Sequence, residues 1–434
     1  MNKTIKKICS VAVAAGLLTA MGMCGGVSAA AAGKFTMPCF LSTGAVFQQN
    51  KPIHLWGTGT SGSVITAELL KNSNRVELKT ASADSDGNWS LELDPRAGSF
   101  DTYTIKMSMN GDEQARLDDI LIGELWVGTG QSNMQFNFGG QLEKHDVVRK
   151  LLADGKYKNI RVLDASRAVD IDAPRTPGVQ YDTLDWDTKK SEWYNAQEID
   201  YLYHISAYGV LTAVELFENL NVPVGFVNAT IGSTGIEAWM SKDAINGSDT
   251  VVDVLKKHGK YSDNKESFRF DEMTGSWNTR LGPLSGLNVA GFMWYQGCSN
   301  LEEGLVNDAG FYEAALDAFI KDLAVKFGFD DVNGMPFIMT QLAPDNFKFI
   351  YSILYKPCIF KAYRLLNVQT LCIFPCFCPY EPKQGKFLFS ADYLIQQSCG
   401  STLRFPCSVS VNVHCGTDIS VSEKFLHIFR CCTV

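Results

Sequence analysis

Two patterns of hydrophobic and polar positions divide the chain. Between residues 37 and 118, short apolar runs recur with turn signals between them, and Trp89, Leu91 and Leu93 alternate strictly with polar residues. An alternation with a period of two is typical of a strand that buries one face. Several such strands without a helix predict a small all-β sandwich over residues 37–118.

From residue 119 onward, strand-like and helix-like segments alternate. Ile120–Val127 is a near-continuous apolar run, as expected for a strand buried on both faces. Residues 205–220 and 311–327 carry apolar side chains at helical spacing. This alternation predicts an α/β domain over residues 119–346, with a mainly parallel sheet covered on both faces. Further strand-like runs lie at residues 224–228, 289–295 and 336–342.

Composition narrows the function classes. The 434 residues are 46% hydrophobic and 20% charged, with a net charge of −8, which indicates a globular chain of several domains. The negative charge gives no electrostatic reason to expect nucleic acid as a partner. Past residue 30, no stretch approaches the roughly 20 apolar residues that a bilayer span needs. We expect no cofactor and no metal site.

The first 32 residues have the pattern of a signal peptide. Lys3, Lys6 and Lys7 are followed by an apolar core over residues 8–20 and by small residues over 27–32. The sequence therefore predicts removal of residues 1–32 and a secreted or periplasmic location. A membrane anchor and a lipid site at Cys24 are the alternatives.

Residues 347–434 differ from the rest of the chain. Nine of the 13 cysteines lie there, and nine basic side chains outnumber four acidic ones. In an exported protein, clustered cysteines indicate a disulfide module or, at Cys372, Cys376 and Cys378, a metal site. The spacing matches no zinc template, however, and nine is an odd number. We favour the alternative that this segment was never selected to fold, as after a frameshift or a wrongly extended gene model.

The candidate chemistry follows the predicted strands, where the working residues of parallel sheets lie. Ser132 stands in a glycine-bounded turn between a buried strand and a helix, which exposes its hydroxyl close to backbone N–H groups that can stabilise an oxyanion. The alternative is that Ser132 only caps the helix. Two later turns, over residues 228–239 and 294–300, bring glycines and amide side chains to the same edge, including the neutral donors Gln296 and Asn300.

Three blocks taken together resemble the sialate O-acetylesterase family, a branch of the SGNH hydrolases related to acetyl xylan esterases. They are Gly123–Met134 with its Gly-Gln-Ser-Asn core, Gly232–Trp239 and Gly291–Gly297. The resemblance extends over about residues 37–344. It implies an SGNH-type, flavodoxin-like three-layer α/β/α domain that removes acetyl groups from O-acetylated sugars such as sialic acid or xylan, without a metal.

The same resemblance implies the roles of individual residues. Ser132 matches the nucleophile, and Gly232 and Gln296 match the contributors to the oxyanion hole. Four further residues of the blocks are expected to contact the substrate, namely Gln131, Asn133, Glu237 and Trp239. Asn300, three positions after the third block, is expected to do the same.

Two departures from the family pattern bear on catalysis. Cys298 stands where the family usually has a glutamate, and the sequence contains no Asp-x-x-His, the pattern that carries the family's catalytic histidine. Loss of a triad member typically lowers the rate by about 10⁴–10⁶. We therefore expect an exported carbohydrate O-acetylesterase whose activity is weak or absent in this chain. The alternative is a non-catalytic carbohydrate-binding protein that has kept the pocket.

Overall fold

The computed structural model describes residues 35–137, 153–166, 193–197, 205–263, 267–301, 306, 308–340 and 342, and two strands at 394–404 and 410–414. Contacts divide the chain into one unit of residues 1–340 and 344–372 and another of residues 341–343 and 373–434. The predicted signal peptide lies outside the described residues. So do the cysteines at 372, 376 and 378.

In the first unit, the described strands are β1 Val46–Gln48, β2 Ile53–Thr58, β3 Val64–Lys71, β4 Asn74–Ser82, β5 Asn88–Leu93, β6 Ser99–Met109, β7 Asp112–Gly130, β8 Ile160–Asp164, β9 Trp193–Asn195, β10 Val224–Thr230, β11 Gly291–Tyr295 and β12 Phe337–Met339. The described α-helices are α1 Ser132–Gln135, α2 Ala207–Leu220, α3 Lys242–Asn246, α4 Asp249–Lys257, α5 Cys298–Leu301 and α6 Phe311–Lys326. Short 3₁₀ turns lie at Gly155–Asn159, Ile236–Ala238, Gly282–Leu284 and Val332–Gly334, and a π-helical turn lies at Trp277–Leu281.

The amino-terminal strands form the predicted all-β layers. β2 pairs with β5, and β4, β3, β6 and β7 form a second antiparallel sheet. Trp89, Leu91 and Leu93 on β5 are buried and alternate with exposed neighbours. The period-two pattern therefore identified both the strand and its buried face, because successive side chains of a strand point to opposite sides.

β7 connects the antiparallel strands to the parallel sheet. Its first part pairs with β6, and from Glu124 to Gly130 it pairs with β10 instead. The domain boundary expected between residues 118 and 119 lies inside this strand, at an irregularity in the pairing where Asp119 has a φ of 54°. The backbone therefore bends at the expected boundary without leaving the strand.

The carboxyl-terminal part of β7 is the middle of a parallel sheet. The strand order is β12-β11-β7-β10-β8-β9, and only β9 runs antiparallel to its neighbour. This order exchanges two adjacent strands relative to the flavodoxin order. After β7 the chain moves to β8 and β10 on one side, then crosses to β11 and β12 on the other. Ligands of open α/β sheets bind where the strand order reverses in this way.

Helices cover both faces of this sheet, as the sequence predicted. Consecutive residues of β11 point to opposite sides: the Trp294 ring lies 4.9 Å from Phe319 of α6, and the Tyr295 ring lies 6.3 Å from Tyr208 of α2. The neighbouring strands alternate in the same way, so each face has its own apolar layer. The domain is therefore a three-layer α/β/α structure.

The second unit is described only as two strands, β13 Leu394–Arg404 and β14 Ser410–His414, which pair in parallel. None of the helices among the described residues combines the length and apolar character needed to cross a membrane.

The contact between α2 and β10 leaves no room for a side chain at Gly209. A Cβ built on this residue would lie 1.9 Å from the ring of Phe226. We expect Gly209→Ala to lower the free energy of unfolding by about 1–3 kcal/mol, because overpacking forces strain into the layer. Urea unfolding measures the change. Gly155→Ala is the matched control, since no atom lies within 4 Å of its added Cβ; equal effects of both substitutions would contradict the packing argument.

The surroundings of His54 on β2 predict a dependence of stability on pH. The Nδ1 of His54 lies 2.9 Å from the Gly286 carbonyl and its Nε2 lies 2.8 Å from Ser90 Oγ. Burial lowers the pKa of His54, although the hydrogen bond to Gly286 and the charge of Glu92 oppose the shift. A depressed pKa favours the neutral ring in the folded state. Its stabilising effect is therefore complete above a pH of about 6.5 and is lost as the pH falls below it.

We expect the free energy of unfolding to fall less steeply between pH 7.5 and pH 5 in His54→Gln than in the unaltered chain. Urea unfolding at three pH values gives both slopes. Identical slopes would show that His54 titrates in the folded state as it does in the unfolded chain.

Candidate active site

The carboxyl ends of three parallel strands lie side by side. In the register of the sheet, Gly130 of β7 pairs with Thr230 of β10 and with Tyr295 of β11. The segments that follow these three residues therefore begin at one level on one edge of the sheet. They are the segments in which the sequence placed the candidate nucleophile and its partners.

The turn that carries the candidate nucleophile, Ser132, begins at Gly130 and is called the nucleophile turn below. The φ of Gly130 is 134°, and an added Cβ would lie 2.4 Å from the Tyr295 carbonyl oxygen, so only glycine fits. Gln131 precedes the helix as its N-cap, and Ser132 is the first residue of α1, with an exposed side chain. The interpretation of Ser132 as a capping residue is therefore wrong. Within the described part of the chain, no group hydrogen-bonds to Ser132 Oγ.

Gly232 lies close to Ser132, the candidate nucleophile. A Cβ built on Gly232 would lie 3.5 Å from Ser132 Cβ and 3.2 Å from Gln135 Oε1. The Gly232 N–H donates to Gln135 Oε1 at 2.8 Å. The structure therefore brings Gly232 close to Ser132, and the Gly232 N–H already has an acceptor. Sequence reasoning missed Gln135, because only the folded chain brings it to a loop 97 positions away.

Gln131 ties the nucleophile turn to the turn after β11. Its carboxamide oxygen accepts hydrogen bonds from the Gly297 and Ser299 N–H groups at 3.1 Å and from Gln296 Nε2 at 3.2 Å. Its Nε2 donates to Ser299 Oγ at 3.1 Å. The side chain is 3% exposed, so its polar atoms are used inside the protein.

Gln296 and Asn300 continue this buried network. Gln296 Nε2 donates to the Thr234 carbonyl and to Asn300 Oδ1, and its Oε1 accepts from the Tyr312 hydroxyl at 2.9 Å. Asn300 Nδ2 donates to Glu237 Oε2 at 2.9 Å. The amide that the resemblance assigned to the oxyanion hole is therefore fully engaged with neighbouring protein groups.

Glu237 and Trp239 lie beneath the surface as well. Glu237 is 2% exposed, and its other oxygen is 3.6 Å from Lys260 Nζ. Trp239 is 0% exposed, donates its indole N–H to Thr234 Oγ1, and packs edge-on against Trp294. In these positions the Glu237 carboxylate and the Trp239 indole support the Gly232 loop from its buried side.

The eight predicted site residues thus form two groups. Ser132, Asn133 and Gly232 have exposed or partly exposed positions at the sheet edge. The others form the buried support, each at most 3% exposed, and four of them are among the residues expected to contact the substrate. The buried residues are Gln131, Glu237, Trp239, Gln296 and Asn300.

Cys298 lies at the surface end of this network. Asn133 Nδ2 donates to Cys298 Sγ at 3.6 Å, and the thiol is partly exposed. Cys298, which stands in place of the expected glutamate, is therefore next to Asn133, the residue that follows Ser132. A neutral thiol is a weak hydrogen-bonding group and cannot orient a base as a carboxylate does.

The described histidine side chains lie outside this site. His54 is held by Gly286 and Ser90, and His258 at the end of α4 pairs with Asp308. His145, His204 and His427 are outside the described residues, and His414 is described only as part of β14.

A second buried polar cluster lies at the ends of β8 and β10 and was not predicted. Asp164 Oδ1 accepts from Asn228 Nδ2 at 3.0 Å and from Ser166. Arg280, 1% exposed, donates to the Ser166 carbonyl at 3.2 Å. Burial lowers the pKa of Arg280 to about 10, and the Asp164 carboxylate opposes the shift. The guanidinium therefore stays charged at neutral pH and ties the π-helical turn to the sheet edge.

Comparison with known proteins connects this geometry to a family. A model of the family described as carbohydrate esterase, sialic acid-specific acetylesterase, matches residues 123–369, more than half of the chain. The chain belongs to this family. The family match begins within β7, includes all three site segments, and extends into the segment from residue 347 that the sequence set apart as a tail.

Related proteins agree with this membership. Sialate O-acetylesterase of Homo sapiens is 27% identical over 277 residues, which are 62% of this chain and 48% of the relative. The Rattus norvegicus protein is 27% identical over 270 residues, 57% of this chain and 48% of the relative. The chain thus spans about half the length of these relatives. A carbohydrate acetylesterase from Xanthomonas citri has the same fold, with a TM-score of 0.58 and 24% identity over 78% of this chain and 68% of that one.

We expect Gln131→Leu to destabilise the folded chain by about 2–5 kcal/mol, because several buried N–H donors lose their acceptor and each orphaned group costs about 1–3 kcal/mol. Urea unfolding measures the loss. The control is the same change at Gln114, which is exposed and bonds only to the nearby Asp112 carbonyl. We expect Gln114→Leu to stay within about 0.5 kcal/mol of the unaltered chain; similar losses at the two positions would rule out the network as the cause.

Proposed function

We propose that this chain is a carbohydrate O-acetylesterase of the sialate O-acetylesterase type with Ser132 as nucleophile. The observation that carries the proposal is the position of an exposed Ser132 at the carboxyl edge of the sheet, with Gly232 packed against it. The family membership supports an ester-hydrolysing chemistry at this place. An O-acetylated sugar, such as sialic acid or a xylan unit, is the proposed substrate.

The proposed reaction is acyl transfer through serine. Ser132 Oγ attacks the acetyl carbonyl carbon, and the hydroxyl proton passes to a base as the tetrahedral intermediate forms. Collapse of the intermediate breaks the ester bond, and the sugar oxygen takes up a proton and leaves. Water then hydrolyses the acetyl-serine, which releases acetate and restores Ser132. Each well-placed N–H donor at the developing oxyanion contributes about 10²–10³ to the rate.

The proposed reaction needs a base, and the sequence lacks the pattern that carries the family's catalytic histidine. The sequence contains no Asp-x-x-His, and among the residues that the structure describes the polar groups around Ser132 are mainly neutral amides. Neutral amides do not accept a proton near neutral pH. We propose that the activity is lower by about 10⁴–10⁶ than with a complete triad. The same observations favour the second candidate, a carbohydrate-binding protein without turnover. The pattern of residues 1–32 supports an exported location for either function.

Acetate release from O-acetylated sialic acid and from acetylated xylan tests the proposal, with Ser132→Ala as the control. We expect slow release that disappears in the variant, and labelling of Ser132 by a small fluorophosphonate. Release at about 1–10³ per second would contradict the impairment. Sugar binding without release or labelling would favour the non-catalytic function, and release that persists in Ser132→Ala would exclude Ser132 as nucleophile.

A further inference from the structure

Gln135 is the last residue of α1, and its side chain reaches the loop after β10. Its carboxamide oxygen lies 2.8 Å from the Gly232 nitrogen. The orientation of the carboxamide follows from this contact, because a backbone N–H only donates and therefore requires the oxygen. The side chain is partly buried, as expected for a group that lies between two segments of the protein.

The contact lies directly beside the nucleophile. Residues three apart on a helix share one side, so Gln135 and Ser132 face the same loop. One point, the position of a Cβ built on Gly232, lies 3.2 Å from Gln135 Oε1 and 3.5 Å from Ser132 Cβ. The Gly232 peptide is therefore close to both Gln135 and Ser132.

α1 cannot hold this geometry on its own. It has four residues, a single turn, and isolated helices shorter than about 12 residues are marginal in water. Its orientation depends on ties to its neighbours. Gln131 provides such a tie toward the turn after β11, and Gln135 provides one toward the Gly232 loop.

We propose that Gln135 is a positioning residue that holds the Gly232 loop against Ser132 through its carboxamide oxygen. The inference rests on the proposed function for its catalytic meaning. It changes the role of Gly232: the N–H of this residue secures the loop by donating to Gln135 Oε1. The acceptor oxygen is the essential part of Gln135, and its NH₂ group is not.

Two substitutions separate the oxygen from the rest of the side chain. Gln135→Glu keeps an acceptor at the same reach, whereas Gln135→Leu keeps the approximate size and removes it. The same pair at the exposed Gln114 serves as the matched control, since that side chain donates only to the nearby Asp112 carbonyl.

The first measurement is amide hydrogen exchange at Gly232 in the full chain, which needs no activity. We expect exchange at least about tenfold faster in Gln135→Leu than in the unaltered chain, and protection restored in Gln135→Glu. Exchange at Gly232 that is unprotected in the unaltered chain, or unchanged in Gln135→Leu, would overturn the proposal.

The second measurement is the rate of acetate release, or of Ser132 labelling where release is too slow to follow. A displacement of about 1 Å costs about 100-fold in rate, so we expect that loss of kcat/KM in Gln135→Leu, mainly in kcat, and a loss of at most about tenfold in Gln135→Glu. A Leu variant as fast as the unaltered chain, or faster, would overturn the proposal, because Gln135 would then not hold the loop in a position that the reaction needs. If Ser132→Ala leaves release unchanged, the proposed function fails, while the exchange experiment still decides whether Gln135 holds the loop.

Discussion

The three hydrogen bonds to the carboxamide oxygen of Gln131 hold together the edge of the sheet on which the candidate site is built. Parallel pairing brings the ends of β7, β10 and β11 to one level, but pairing stops at Gly130 and Tyr295. Beyond that row, the Gln131 N–H still donates to the Tyr295 carbonyl, and the Ile231 N–H donates to the Gly130 carbonyl. The side chain of Gln131 adds a further connection by accepting hydrogen bonds from Gly297, Ser299 and Gln296. The position of the following residue, Ser132, depends on this connection.

The support of the site is built mainly from neutral amides, and this choice has an energetic reason. Burying an ion pair requires the desolvation of two charges, which the attraction between them often only balances. An amide carries a donor and an acceptor without a net charge, so it can be buried when both are satisfied. Gln296 meets this condition through Asn300, Thr234 and Tyr312. Such a network also specifies one arrangement, because any displacement leaves several groups unpaired at once.

The sequence predicted what depends on local pattern. The alternation at Trp89, Leu91 and Leu93 identified a strand and its buried face, and the apolar run at 120–127 identified the strand that precedes the nucleophile turn. The turn after this strand was predictable because Gly130 and Ser132 lie only two positions apart in the sequence. The continuity of β7 through residue 118 was not predictable from the sequence. The two halves of this strand follow different hydrophobic patterns, and only the fold joins them.

The roles of the site residues were harder to predict than their location. The motif blocks placed Gln131 and Trp239 at the edge of the sheet where the candidate site lies, but a linear motif does not indicate whether a side chain points toward solvent or toward the core. Gln135 and Tyr312 were missed for a related reason. Each contacts a partner on another element, and the periodicity of its own helix carries no signal of that contact.

The groups that position Ser132, the proposed nucleophile, differ in kind from a group that could activate it. The groups that position the Ser132 turn belong to segments that follow β7, β10 and β11, and they are mostly amides, hydroxyls and backbone N–H groups that do not titrate near neutral pH. A base must come from another part of a chain, because none of these groups can take the serine proton. The position of Ser132 and the proton acceptor are therefore specified by different parts of the sequence. The hydrogen bonds that tie Gln131 and Gln135 to these loops do not pass through a titratable base, so the loop geometry that they set does not depend on one.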